Sequence, residues 1–212
     1  MQILDERVER YLHGLRPERS EVMAEMEAVA ERDSVPIVHW ETGRFLAVLC
    51  RLFDPVVLEV GTAIGYSTLH MASQLSTGRV VTLERDPDRA AQAHSYLERA
   101  GAADRVEVIE GDALETIPTL SGPFGLLFVD ASKGEYERYI ELAEPLLAER
   151  CTLVIDNLLM DGEVALPEDA ATSWNPNSLA AARRLNADLL HSERWLGCVL
   201  PVGDGVGFGA RR

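Results

Sequence analysis

The sequence predicts an α/β fold, a mostly parallel sheet covered by helices on both faces and closed by an antiparallel hairpin. Three observations lead there. From residue 56 onward, five short apolar runs alternate with amphipathic helical stretches. Those runs are apolar at consecutive positions rather than at every second one, the pattern of strands buried on both faces. The chain then ends in two strand-like segments around Gly203-Asp204-Gly205, a turn suited to a hairpin.

The elements follow in order. Residues 1–33 read as two charged helices broken at Pro17, the second placing Val22, Met26 and Val29 on one face at helical spacing. SVPIVH (34–39) is an extended link, and a helix from Trp40 to Leu52 stops before Asp54-Pro55. The strands are VVLEV (56–60), RVVTLE (79–84), RVEVIE (105–110), FGLLFVD (124–130) and CTLVID (151–156). Helices are expected over 67–75, 87–100, 113–119 and 134–148, with Pro87 after Asp86 as a sound helix start. Residues 178–190 form the last helix, and WLGCVLPV and GVGFGARR the hairpin. A single domain of 1–212 is expected, with 1–53 a helical cap and 54–212 the sheet-bearing core.

Composition narrows the function. With 47% hydrophobic and 26% charged residues, disordered and fibrous classes are excluded. A formal charge of −15 disfavours a nonspecific grip on nucleic-acid phosphates. Cys50, Cys151 and Cys198 form no CxxC pair, which removes zinc knuckles and a disulfide framework; Cys50 and Cys151 sit in apolar runs and are expected in the core. The opening residues are charged from residue 5, and no stretch reaches the roughly 18 apolar residues of a membrane span. A cytoplasmic protein with no membrane partner is the expectation.

Open α/β sheets bind ligands at the carboxyl ends of their strands. Strand one runs into VLEVGTAIGYST, where Gly61 and Gly65 allow close backbone approach and Ser67 or Thr68 can cap the next helix. The spacing is G-x-x-x-G, not the G-x-G-x-x-G of dinucleotide enzymes. Glu59 would repel a diphosphate but suits a ligand bearing an ammonium or sulfonium. A glycine turn without a ligand is the plainer alternative for this segment alone. Glu84 ends strand two, 19 residues after Gly65, where a carboxylate accepts from ribose hydroxyls, although an exposed turn Glu is the bland alternative. Asp112 either meets an adenine amino group or merely caps the following helix.

Strand four ends FVDASKGEY and strand five VIDN, which brings Asp130, Asp156 and Asn157 to one edge. Three hard oxygen donors without His or Cys suit Mg²⁺, Mn²⁺ or Ca²⁺ rather than zinc, unless both acids are simple strand-end caps. The chain holds 19 Arg and a single Lys, Lys133, three residues beyond Asp130. Arg cannot release its proton near neutral pH, whereas a buried Lys, or one near a cation, can. That points to a titratable amine, set against the chance placement of one leftover Lys.

Taken in this order and spacing, VLEVGTAIGYST, Glu84, GDA, FVDASKGEY and VIDN resemble the catechol and caffeoyl-CoA O-methyltransferase family. The likeness runs from about Pro36 to the closing LPVGDGVGFGARR and includes Arg183-Arg184-Leu185-Asn186. It implies a class I methyltransferase fold, a three-layer Rossmann-like sandwich whose seven strands run 3-2-1-4-5-7-6 with the seventh antiparallel. It implies S-adenosylmethionine as cofactor. Glu59, Gly61, Thr62, Gly65, Tyr66 and Ser67 fall on the methionine-side motif, with Glu59 near the amino or sulfonium end. Glu84 and Arg85 fall on the ribose side, and Asp112 and Ala113 on the adenine loop. Asp130 borders the cofactor and, with Asp156 and Asn157, matches the divalent-metal ligands, Mg²⁺ foremost. Lys133 matches the general base, and Tyr136 takes the aromatic place at the start of the next helix. Family members imply a homodimer.

Between Asp130 and Lys133 stands Ala-Ser, where plant acyl-CoA members have Ala-Asp and catechol enzymes His-Trp. FVDASKGEY is closer to bacterial members, which divide between small phenols and a hydroxylated uridine of transfer RNA. The expected acceptor is a small catechol-like or phenolic hydroxyl, with a tRNA anticodon nucleoside as alternative, for which Arg183-Arg184 and Arg211-Arg212 are the candidate basic patch. A noncatalytic nucleoside-binding module and an NAD oxidoreductase are the readings from other classes. Segment 160–178 is expected to border the acceptor, and Val38, His39 and Trp40 are expected near the cofactor or substrate entrance.

Overall fold

The computed structural model describes residues 5–167 and 170–212. Its centre is a seven-stranded sheet of order β3-β2-β1-β4-β5-β7-β6, built from β1 (Val56–Val60), β2 (Arg79–Glu84), β3 (Val106–Glu110), β4 (Phe124–Val129), β5 (Leu147–Ile155), β6 (Trp195–Leu200) and β7 (Val206–Arg211). β1 to β5 pair in parallel; β7 runs antiparallel to both β5 and β6. This is the expected class I arrangement.

The central strands β1, β2, β4 and the latter part of β5 are buried on two sides because successive side chains enter different cores. Val57, Val80, Leu126, Phe128 and Val154 share one core with Met26, Leu46, Leu69 and Tyr96, carried by α2 (Glu21–Asp33), α3 (Trp40–Phe53), α4 (Tyr66–Ala72) and α5 (Pro87–Arg99). Leu58, Val60, Leu127, Val129 and Leu153 enter the other with Tyr136, Ile140, Leu185 and Leu189, carried by α7 (Tyr136–Ala143) and α8 (Pro176–His191). The short α6 (Ala113–Thr116) follows β3 and contacts β2 and α7. Cys50 and Cys151 are buried, as expected.

The helix ends follow local chemistry. Asp86 accepts from the amides of Asp88 and Arg89 ahead of Pro87, and Ser20 caps α2 through the Met23 amide. On α2, Met26 and Ala30 are fully covered while Val22 only packs against the core edge. The remaining helix, α1 (Glu6–Gly14), has no buried residue and leaves Val8, Tyr11, Leu12 and Leu15 exposed along one side.

Several boundaries differ from expectation, and the helix read over 67–75 spans Tyr66–Ala72. β5 begins at Leu147 rather than Cys151, and the helix read over 134–148 is confined to Tyr136–Ala143. The cause is a register shift between Phe124 and Leu126, which lets Leu147 pair ahead of the main ladder while Glu149 and Arg150 stay exposed. The helix expected over 113–119 splits into α6 and a single tighter turn at Ile117–Thr119, where Pro118 supplies no amide donor. Among the described residues no helix is long and apolar enough to cross a membrane.

Candidate active site

A cavity of about 490 Å³ opens at the carboxyl ends of β1, β2, β4 and β5. Its floor is the turn after β1. Gly61 has φ 101°, and a Cβ there would overlap the carbonyl oxygen of Asp130 and come within 2.8 Å of its carbonyl carbon. Only glycine lets the ends of β1 and β4 approach this closely. The amides of Gly61 and Thr62 donate to the Leu83 carbonyl at 3.0 and 3.2 Å, and the Thr62 and Thr82 hydroxyls meet at 2.6 Å. Gly65, at φ 88°, lies against Ala93 and shapes the turn without entering the cavity wall.

Glu59 has a different place from the one its motif suggested. It is 0% exposed and lies beneath the turn, outside the cavity wall. Its two oxygens accept from the Ser67 and Thr68 hydroxyls, each at 2.5 Å. The expectation that Ser67 or Thr68 caps α4 is therefore corrected: Gly65 is the N-cap and makes no side-chain bond, because both hydroxyls are turned down to Glu59. Burial pushes the Glu59 carboxyl up to about 7, against the lowering effect of those hydroxyl bonds. The carboxylate anchors the start of the helix from below.

The other cofactor-type positions do line the cavity: Thr62, Tyr66, Ser67, Glu84, Arg85, Asp112 and Ala113. Glu84 is held in place by the amides of Ala63, at 2.7 Å, and Asp86, at 3.0 Å. Those bonds fix the carboxylate and leave lone pairs for a diol. Asp112 caps α6 through the Leu114 amide at 2.8 Å, which is the capping reading, and the same residue lines the cavity. Tyr66 is tied outward: its hydroxyl donates to Glu27 at 2.6 Å and accepts from Arg16 at 3.1 Å.

Lys133 stands at the junction of β4 and β5. Its Nζ donates to Asp130 Oδ1 at 3.1 Å, to the Tyr136 hydroxyl at 2.9 Å and to Asn157 Oδ1. Asp156, one residue before Asn157, is 1% exposed, and among the described residues neither carboxylate oxygen has a side-chain or backbone partner at hydrogen-bonding geometry. Burial and the nearby Asp130 raise its carboxyl well above the usual range, and Lys133 opposes that. A buried carboxylate with two unsatisfied oxygens is costly unless a cation or proton meets it. Among the described residues no group of three His, Cys, Asp or Glu side chains gathers at a metal-binding distance. Here the donors are two carboxylates and one amide oxygen, an all-oxygen set suited to a hard divalent cation.

Several cavity residues were not singled out as site residues. Trp174 comes from the segment after β5, with its indole Nε1 donating to Asp161 at 3.1 Å. Tyr139 from α7 and Ile37 from the link before α3 also line it; of the three residues expected near the entrance, Val38 lines the cavity and His39 and Trp40 do not. Their signal in the sequence is weak, since an aromatic on a helix or an apolar residue in a link reads equally well as core. The expectation for segment 160–178 was that it borders the acceptor; Trp174 reaches the cavity, while Glu168 and Asp169 of that segment lie outside the described residues.

The sheet order, the glycine turn under a polar cavity and an acid at the end of β2 together define a class I methyltransferase fold. The sequence model of the O-methyltransferase family matches residues 15–212, and the chain belongs to that family. The catechol O-methyltransferase of Mycobacterium tuberculosis is 42% identical over 148 residues, 68% of this chain but 65% of that protein, so the matched part spans just under two thirds of the relative. An O-methyltransferase from Bacillus cereus solved with S-adenosylhomocysteine (SAH) superposes with a TM-score of 0.83 at 30% identity, covering 97% of each chain. TomG from Streptomyces achromogenes, an O-methyltransferase of tomaymycin synthesis solved with S-adenosylmethionine, gives 0.83 at 28% identity over 97% of this chain and 96% of its own.

Proposed function

We propose that the protein transfers the methyl group of S-adenosylmethionine to one hydroxyl of a small catechol-like or phenolic acceptor, assisted by a divalent metal. The observation that carries this reading is Lys133 Nζ set among Asp130, Asn157 and Tyr136, one residue from the unsatisfied Asp156 carboxylate, at the rim of a nucleoside-sized cavity. Glu84 takes the ribose hydroxyls, and Asp112, Ala113 and Tyr139 surround the base. Asp130, Asp156 and Asn157 hold the metal, Mg²⁺ foremost, with Mn²⁺ or Ca²⁺ as substitutes. When bound, that ion supplies a positive charge that favours the acceptor in its anionic form.

The chain's own groups do the rest. Lys133 Nζ accepts the hydroxyl proton once it is in its neutral form, having given up one of the three protons it donates to Asp130, Tyr136 and Asn157. The acceptor oxygen forms its bond to the methyl carbon as the carbon–sulfur bond breaks, and that electron pair returns to sulfur. The products are a methyl ether, S-adenosylhomocysteine and the lysine ammonium. Trp174, Ile37 and Val38 give the acceptor an apolar wall that limits water and holds the ring for in-line attack.

The arginines offered for the tRNA alternative already have partners within the chain. Arg183 donates to the Val164 and Leu166 carbonyls, Arg184 pairs with Glu137, Arg211 holds the Leu147 and Ala148 carbonyls, and Arg212 reaches the Trp195 carbonyl. Arg184 and Arg212 remain exposed, but each of the four arginines already holds a partner in the chain, which favours the small acceptor over tRNA. A noncatalytic binder has no use for the Lys133 constellation. We also take the protein to act as a cytoplasmic homodimer, supported by the exposed apolar side of α1.

The test offers labelled S-adenosylmethionine with a catechol panel or with bulk tRNA, in the presence of Mg²⁺ or of chelator. Chelator-sensitive label in a catechol is expected. Label in tRNA alone would replace the acceptor, and chelator-insensitive turnover would remove the metal.

A further inference from the structure

Asp204 sits in the turn between β6 and β7, 5% exposed, and the methyl-transfer reading gives it no part. Its two carboxylate oxygens serve two neighbours. Oδ2 accepts from Asn157 Nδ2 at 3.4 Å, and Oδ1 accepts from the Asp161 amide. Its backbone carbonyl takes the Leu159 amide at 3.0 Å, and that of Gly205 takes the Leu158 amide at 2.9 Å. The segment so gripped is strained, with Asn157, Met160 and Asp161 in the left-handed region at φ 61°, 46° and 55°. Non-glycine residues stay there only where surrounding structure over-determines them.

We propose that Asp204 is a positioning residue that sets the polarity of the Asn157 amide and the register of the loop bearing Trp174. An amide can present either end. A carboxylate behind Asn157 accepts only from the NH₂ end, which leaves Oδ1 facing Lys133 and the proposed metal. The second oxygen, on the Asp161 amide, fixes the residue whose side chain receives the Trp174 indole. One buried carboxylate thus ties the reacting end of the site to its apolar wall. The inference rests on the metal-assisted reading above.

The geometry dictates how substitution acts. In Asp204→Asn, the new amide oxygen keeps the Asp161 contact and turns its NH₂ toward Asn157. Two NH₂ groups then oppose each other, and Asn157 turns its oxygen away from Lys133. Adding Asn157→Asp reverses the conflict, since the amide introduced at position 204 then donates to a carboxylate whose other oxygen faces the metal.

The experiment uses the full chain with SAH, reading Mn²⁺ affinity by electron paramagnetic resonance, SAH affinity by calorimetry and kcat with catechol. Asp204→Asn is expected to lose about 10–100-fold in both Mn²⁺ affinity and kcat, the usual scale for a group that orients a ligand, with SAH affinity unchanged. The Asn157→Asp, Asp204→Asn pair is expected to recover Mn²⁺ affinity. Wild-type Mn²⁺ affinity and kcat in Asp204→Asn, or equal losses in the single and paired variants, overturn the proposal alone. A wild type that binds no Mn²⁺ overturns the metal-assisted reading and this proposal with it.

Discussion

Replacing Gly61 with Ala tests whether the site depends on backbone approach at the β1 turn. At φ 101° a side chain is strained wherever it points, at a cost of about 1–3 kcal/mol. The added Cβ also meets the Asp130 carbonyl, which is backbone and cannot swing aside; forcing it away costs about 1–3 kcal/mol more. The sum, about 2–6 kcal/mol, corresponds to a fall in Tm of roughly 4–24 °C at this chain length. Displacing Asp130 also moves a partner of Lys133, so kcat should fall by up to about a hundredfold. The assay is thermal denaturation with and without SAH, followed by turnover with catechol at about 20 °C. Gly14→Ala is the control, since nothing lies within 4 Å of its added carbon; it should be neutral or stabilising by roughly 0.5–1 kcal/mol. A Gly61→Ala protein with the wild-type Tm and kcat would refute the steric reasoning.

Further expectations concern the buried titrating groups. Glu59 is raised to about 7 from an ordinary 4.5, so its stabilising neutral form is fully present below 4.5 and stability is lost as pH rises from there to about 7. Glu59→Gln should flatten that decline in a series of urea melts, and an unchanged slope would show that Glu59 titrates normally. His70 has the opposite sense: burial lowers it from 6.5 to about 4, so stability is fully present above 6.5 and lost as pH falls toward 4. His70→Phe should remove that acid-side loss, although its contact with the Tyr66 ring remains available to Phe. Asp156→Asn should raise Tm at about pH 7.5 in metal-free buffer, because an uncompensated buried carboxylate is relieved, while abolishing Mg²⁺-dependent turnover; a lower Tm would mean that the carboxylate is satisfied without metal.

The sheet was legible because its signal is redundant. Runs such as VVLEV and FGLLFV are apolar at nearly every position, and each is followed by a helix of clear period, so the strands β1 to β4 fall within a residue of where the pattern puts them. The start of β5 was not, because Glu149 and Arg150 carry the polarity of a helix surface and the pairing that extends the strand is a tertiary register shift. In the site, the residues at strand ends were legible through motif order: Glu84, Asp130, Lys133, Asp156 and Asn157 come together as expected. Glu59 was legible as unusual but not in its direction. Residues 59 and 61 would share a face on a continued strand, and only the fold shows that β1 ends at Val60, so that Glu59 stays buried beneath the turn while Gly61, at positive φ, lines the cavity. Trp174 and Asp204 depend on loops whose path no local pattern specifies.

The central claim is that Lys133 Nζ takes the proton of a metal-favoured hydroxyl during methyl transfer. Its most direct test is single-turnover transfer of labelled methyl from S-adenosylmethionine to catechol by Lys133→Arg, with Mg²⁺ saturating and SAH affinity measured in parallel. Arg keeps the positive charge but not the ability to accept the proton. A loss of about 10²–10⁴-fold in the transfer rate with unchanged SAH affinity is the expected result. Transfer at the wild-type rate would contradict the account.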